Sequence, residues 1–112
     1  MTIQIDSTKV TLAKDYSELG TFGGLTTGDP GNGATPQNEP GGSDYHRGAV
    51  TWSDDGAGSF SGECKVHAGA GTYTHVILCQ NDGSMIDYYQ FDTPFPVPAA
   101  GVVVVDLTYI QS

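Results

Sequence analysis

The sequence predicts a mainly β fold, an antiparallel β-sandwich or barrel-like domain with one short N-terminal helix and a long Gly/Pro-rich loop. Three observations carry this. Past residue 44 short runs of alternating apolar and polar residues are separated by turn residues, the stretch before them is crowded with Gly, Pro and Asn, and only residues 8–19 carry an apolar stripe at helical spacing. With 112 residues the chain is read as one domain, long enough to bury roughly two-thirds of the surface it exposes when unfolded.

Residues 1–7 read as an arm, with Thr2 to Ile5 extended and Asp6 or Ser7 able to cap a helix start. A helix is expected over 8–19, where Leu12, Tyr16 and Leu19 share one stripe and Gly20 supplies the stop. Residues 23–44 follow as a loop, with Leu25 to Thr27 a brief strand leading in, because TGDPGNGATPQNEPGG has neither helical nor alternating period. Residues 45–112 form the β-rich body. Its strands are expected at Tyr45–Ser53, Ser59–His67, Thr72–Gln80 and Ser84–Phe91, the last two joined through the turn Asn81-Asp82-Gly83. Pro94, Pro96 and Pro98 lack the N–H of a ladder, which confines their segment to a crossover or an edge. In a last strand, Val102–Ile110, the set Val103, Val105, Leu107 and Tyr109 is assigned to the core face. Apolar side chains also occupy opposite faces of the last two strands, so both faces are expected to be covered, by the helix, a second sheet or another subunit.

Charge narrows the function classes. Thirteen acidic residues face only Lys9, Lys14, Arg47 and Lys65, a net charge of -9 with the cations scattered, so a phosphate backbone would be repelled and no nucleic-acid partner is expected. The longest apolar run, Ala99 to Val105, is far shorter than the roughly 20 residues of a membrane-spanning helix, and the N-terminus lacks a signal pattern. Cys64 and Cys79 have no CxxC spacing and read as buried free thiols, a mutual bridge being the alternative. His46, His67 and His75 fall on three different expected strands without HxH or HxxxH spacing, Asp54-Asp55-Gly56 lacks the distal ligands of a calcium loop, and Gly31 and Gly33 lack the strand-turn-helix setting of a phosphate cradle. No nucleophile with its base emerges, and the expectation is a non-enzyme without cofactor or metal. Trp52, Tyr73 and Tyr88, with Tyr45 and Tyr89, are either core residues or an aromatic face for a host-surface glycan.

Five blocks resemble a known family. Gly28 to Gly31 (GDPG), Glu39 with Gly41 and Gly42 (E-x-GG), Tyr45 with Arg47 (Y-x-R), Ala49 to Trp52 (AVTW) and Tyr73 to Val76 within TYTHV occur in the order found in small tail-fibre-like virion proteins of tailed bacteriophages. The likeness covers roughly residues 15–80. Two positions depart from it: Thr26 stands where the family has His, and Cys79 where it has Trp. The resemblance implies a structural protein on the virion surface, a capsid decoration or cement protein or else a tail- or head-fibre component. Such a part would contact phage capsid or tail proteins and form a homo-oligomer, a trimer being favoured; the arm and the proline segment are the candidate contact surfaces. The blocks themselves read as architecture: Asp29 and Pro30 start a turn, Gly41 and Gly42 permit a sharp return, and Glu39 and Arg47 are suited to pair across the loop base.

Overall fold

The computed structural model describes residues 20–56 and 59–110; the arm at 1–7 and the helix expected over 8–19 lie outside them. Six strands follow one another: β1 (Phe22–Thr26), β2 (Gly48–Gly56), β3 (Ser59–Ala68), β4 (Gly71–Cys79), β5 (Met85–Val97) and β6 (Gly101–Ile110). They form one antiparallel sheet in the order β5-β4-β1-β2-β3-β6. Of the two architectures expected, the barrel-like one stands, as a single sheet that curls into a half-barrel, and the two-sheet sandwich is corrected. Alternation cannot separate these outcomes, because a curled sheet and a sandwich both bury every second side chain.

Curling brings the two edge strands toward each other. Leu25, Cys64, Val66, Val76, Leu78, Val105 and Leu107 form one inner core with Val50, Trp52, Tyr89 and Phe91 packed against it, while Val76, Tyr89, Phe91, Val105 and Leu107 line the cleft between β5 and β6. In β3 burial alternates strictly, Phe60, Gly62, Cys64, Val66 and Ala68 inward and Glu63, Lys65 and His67 outward. In β6 Val105 and Leu107 point inward, whereas Val102 and Val104 remain 53% exposed. β4 differs: from His75 to Cys79 every residue is buried, since both of its faces are covered. Ile77 and Cys79 form a second cluster with Met85 and Phe22 on the outer face.

Pro94 and Pro96 belong to β5, one of the two sheet edges, and Pro98 follows its end. Pro96 lies opposite Thr72, and residues 91–94 bulge out where Tyr73 pairs with Phe95 and His75 with Gln90; an edge strand needs no ladder N–H from a proline. The strand expected from Tyr45 begins only at Gly48: Tyr45 and Arg47 turn their side chains to Glu39, while His46 still meets His67 of β3 in an isolated bridge. Leu78, fully buried at the middle of this packing, is the sharpest probe of the inner core. Leu78→Ala is expected to cost about 2–5 kcal/mol, read as a shift of the urea unfolding midpoint with an unchanged slope.

Candidate functional site

The loop expected over 23–44 is corrected at both ends: residues 23–26 belong to β1, and residues 27–47 join β1 to β2, their course fixed by individual hydrogen bonds rather than by a repeating ladder. The Asp29 carboxylate accepts from the Gly31 amide (2.8 Å), the Asn38 side chain donates to the Asp29 carbonyl (2.9 Å), and Thr26 donates its hydroxyl to the Gly28 carbonyl (2.7 Å). Backbone bonds from Thr27 to Asn38 and from Gln37 to Pro30 close this segment on itself, and the Met85 amide donates to the Ala34 carbonyl at the start of β5. Pro30 is fully buried. Asn38 takes the left-handed conformation at φ 60°, which Asn tolerates better than most residues.

The centre of the arrangement is Glu39. The Arg47 guanidinium donates to both of its carboxylate oxygens, Nε to Oε2 at 2.8 Å and Nη2 to Oε1 at 2.7 Å, and gives Nη1 to the Gly83 carbonyl at 2.8 Å. Tyr45 donates its hydroxyl to Glu39 Oε2 and accepts the Leu25 amide at 3.0 Å. This last bond repairs a gap in the sheet. β2 pairs with β1 only at Phe22 and Gly23, so beyond that point the phenol stands in for a missing ladder acceptor. Gly24 makes room for it: a Cβ there would lie 2.5 Å from the Tyr45 hydroxyl. One chain of bonds thus ties β1, the loop, the approach to β2 and the β4–β5 turn.

Electrostatics follow from this geometry. Burial by itself would raise the Glu39 carboxyl, but the hydrogen bonds from Arg47 and Tyr45 favour the carboxylate and hold it below its ordinary value. Burial, then the Glu39 carboxylate, push the Tyr45 phenol far up, so it remains a donor. The bond to Glu39 raises the Arg47 guanidinium despite partial burial. Every group here is committed to another protein group, an arrangement suited to holding a loop in place.

The remaining residues singled out in the sequence separate. Gly42 uses a left-handed backbone (φ 94°), but Gly41 has no positive φ and open space around its Cβ position, so the sharp return requires only the second glycine. Trp52, Tyr73 and Tyr88 are not brought together on one exposed face. Tyr73 is 2% exposed and donates to the Gly69 carbonyl (2.8 Å), Trp52 is half-buried against the inner core and donates its indole N–H to the Gly20 carbonyl (2.7 Å), and Tyr88 is exposed beside His75. In a curled sheet the inward direction depends on which way it bends, and alternation does not encode this. Cys64 and Cys79 are free and buried, each thiol pushed up to about 11 chiefly by burial. They sit on β3 and β4, which are not neighbours, so a bridge across adjacent strands is not the pairing here.

Sequence reasoning grouped Tyr45 with the aromatic candidates and missed its place between Leu25 and Glu39. The available signal was the Y-x-R spacing, which puts Tyr45 and Arg47 on one side of an extended chain. It also missed that His46 and His67 meet across a β-bridge. Among the described residues no three His, Cys, Asp or Glu side chains converge as metal ligands. Comparison with known protein families, curated proteins and solved structures returns no match.

Proposed function

We propose that this chain is a non-catalytic structural protein on the exterior of a tailed-phage virion, a capsid decoration or cement protein in the first instance and a tail- or head-fibre component in the second. The observation that supports it is where the shared blocks lie. GDPG and E-x-GG make the loop, Tyr45 and Arg47 fasten it to Glu39, and Trp52 and Tyr73 each spend their polar atom on a backbone carbonyl. Residues spent in these ways hold a shape for neighbours to fit.

Surfaces suited to neighbours are present. Val102 and Val104 stand exposed on the outer side of β6, Phe95 on β5 is 44% exposed, and β5 and β6 end the sheet with one hydrogen-bonded edge each. Contacts of this kind add up when repeated by symmetry, which is the basis for assigning a homo-oligomer, a trimer first, bound to capsid or tail proteins. The test is quantitative mass spectrometry of gradient-purified particles of the phage encoding this chain. The expected result is the polypeptide in many copies per particle, at a fixed ratio to the major capsid or tail protein. Complete absence from purified particles rejects the assignment, and saturable binding on a glycan array that survives loss of Tyr88 would point to a different adhesin surface.

A further inference from the structure

We propose that His46 and His67 form a two-imidazole site for a borderline divalent transition-metal ion, Zn2+ in the first place. The residues are distant in sequence, but the backbone holds them opposite each other. The His46 amide donates to the His67 carbonyl at 2.8 Å and the His67 amide returns the bond to the His46 carbonyl at 3.0 Å. Such a doubly bonded antiparallel pair projects its two side chains to the same face of the sheet.

The ring centroids are 6.2 Å apart with an interplanar angle of 77°. With Zn–N bonds of about 2.0–2.1 Å, two imidazoles on one tetrahedral ion have centres roughly 5 Å apart. Closing the difference takes small side-chain rotations. Both residues are exposed, and among the described residues each ring's recorded contact is with the other. No packed neighbour has to yield.

The surroundings favour a cation. Asp44 precedes His46 by two residues, and its Oδ2 lies 4.0 Å from the Cβ position of Gly69, itself two residues beyond His67. A carboxylate therefore sits one rung along the same face and adds negative charge beside the two imidazoles, which among the described residues remain the only side-chain ligands of the site. Lys65, two residues before His67, is the opposing charge on this face; its long flexible stem can carry the ammonium away. The net charge of -9 draws cations toward the surface generally. Imidazole selects Zn2+, Ni2+ or Cu2+ over Ca2+ and Mg2+, which prefer oxygen. His75 is set apart: it is buried on β4, with Thr74 Oγ1 2.7 Å from its Nδ1. An ion on His46 and His67 would clip the end of the loop to β3, next to the Arg47 clamp but independent of it.

The test is a Zn2+ titration of the tag-free full chain by calorimetry in a non-chelating buffer, with His46→Gln, His67→Gln and His75→Gln alongside. One saturable site is expected, weakened at least tenfold by either of the first two substitutions and retained in the third, with no corresponding response to Mg2+. NMR of the unsubstituted chain provides a readout that no variant can confound: Zn2+ should move the ring C–H resonances of His46 and His67 and leave those of His75 in place. Equal Zn2+ affinity in all the variants, or unmoved His46 and His67 resonances at saturation, overturns the site.

Discussion

Arg47→Met is expected to lower unfolding stability by about 2–3 kcal/mol and to open residues 27–47 to proteases. Arg47 and Glu39 are only 23% and 17% exposed as side chains, so removing the guanidinium strands a carboxylate that burial already disfavours. Loss of one partner of a fully buried pair costs about 3–5 kcal/mol, and residual solvent contact lowers that figure here. One further bond disappears with it, since Arg47 also holds the Gly83 carbonyl of the β4–β5 turn. Equilibrium urea unfolding gives the stability, and limited proteolysis with mass mapping locates the cuts; unchanged cleavage inside 27–47 would discard the clamp. Adding Glu39→Gln to Arg47→Met should recover part of the loss, because the stranded charge is gone.

The same pair sets an acid limit. Glu39 is held below its ordinary value of 4.5 in the fold, so the unfolded chain takes up its proton at higher pH than the folded one. Its contribution is therefore complete above the unfolded value and lost as pH falls through the folded one. Glu39→Gln should be less stable than the parent at neutral pH and should lose less stability between pH 5 and strong acid.

Gly48→Val is expected to cost at least about 3 kcal/mol, at the upper end of overpacking. A Cβ at Gly48 would lie 2.1 Å from the Lys65 carbonyl oxygen and 2.7 Å from its carbon. No side-chain rotation relieves a clash with backbone. β2 would have to part from β3 at the rung where Gly48 also pairs with Gly23 of β1. Thermal unfolding should fall by roughly 15 °C or more for a domain of this size. Gly41→Ala provides the contrast: with open space and no positive φ, it should stay within about 0.5 kcal/mol of the parent. A similar loss at both positions would mean that glycine content, rather than the close approach at Gly48, sets the stability.

The strands were legible because alternation reports burial directly, and β3 and β6 follow it nearly residue by residue. β4 was legible as a strand, but its burial on both sides was not, because its outer face is covered by Phe22 and Met85 and flanked by Tyr45 and Glu39 of an aperiodic loop far away in sequence. That loop is built from single bonds such as Asn38 to Asp29 and Met85 to Ala34, which leave no repeating trace. Glu39 and Arg47 could be paired on paper since Arg47 is one of only four cations. The bond from the Leu25 amide to Tyr45 could not, because it depends on β2 releasing β1 after two residues. The direction of sheet curl likewise decided the fate of Trp52 and Tyr73, and a period of two carries no sign.

Fastening of residues 27–47 to the outer face of the sheet is the feature on which the structural reading stands, and amide hydrogen exchange at Leu25 tests it most directly. That N–H is given to the Tyr45 hydroxyl at 3.0 Å. In the parent chain it should exchange as slowly as the core amides of β4, and in Arg47→Met it should exchange far faster while β3 and β6 keep their protection. Rapid exchange in the parent, or equal protection in both proteins, would contradict the clamp.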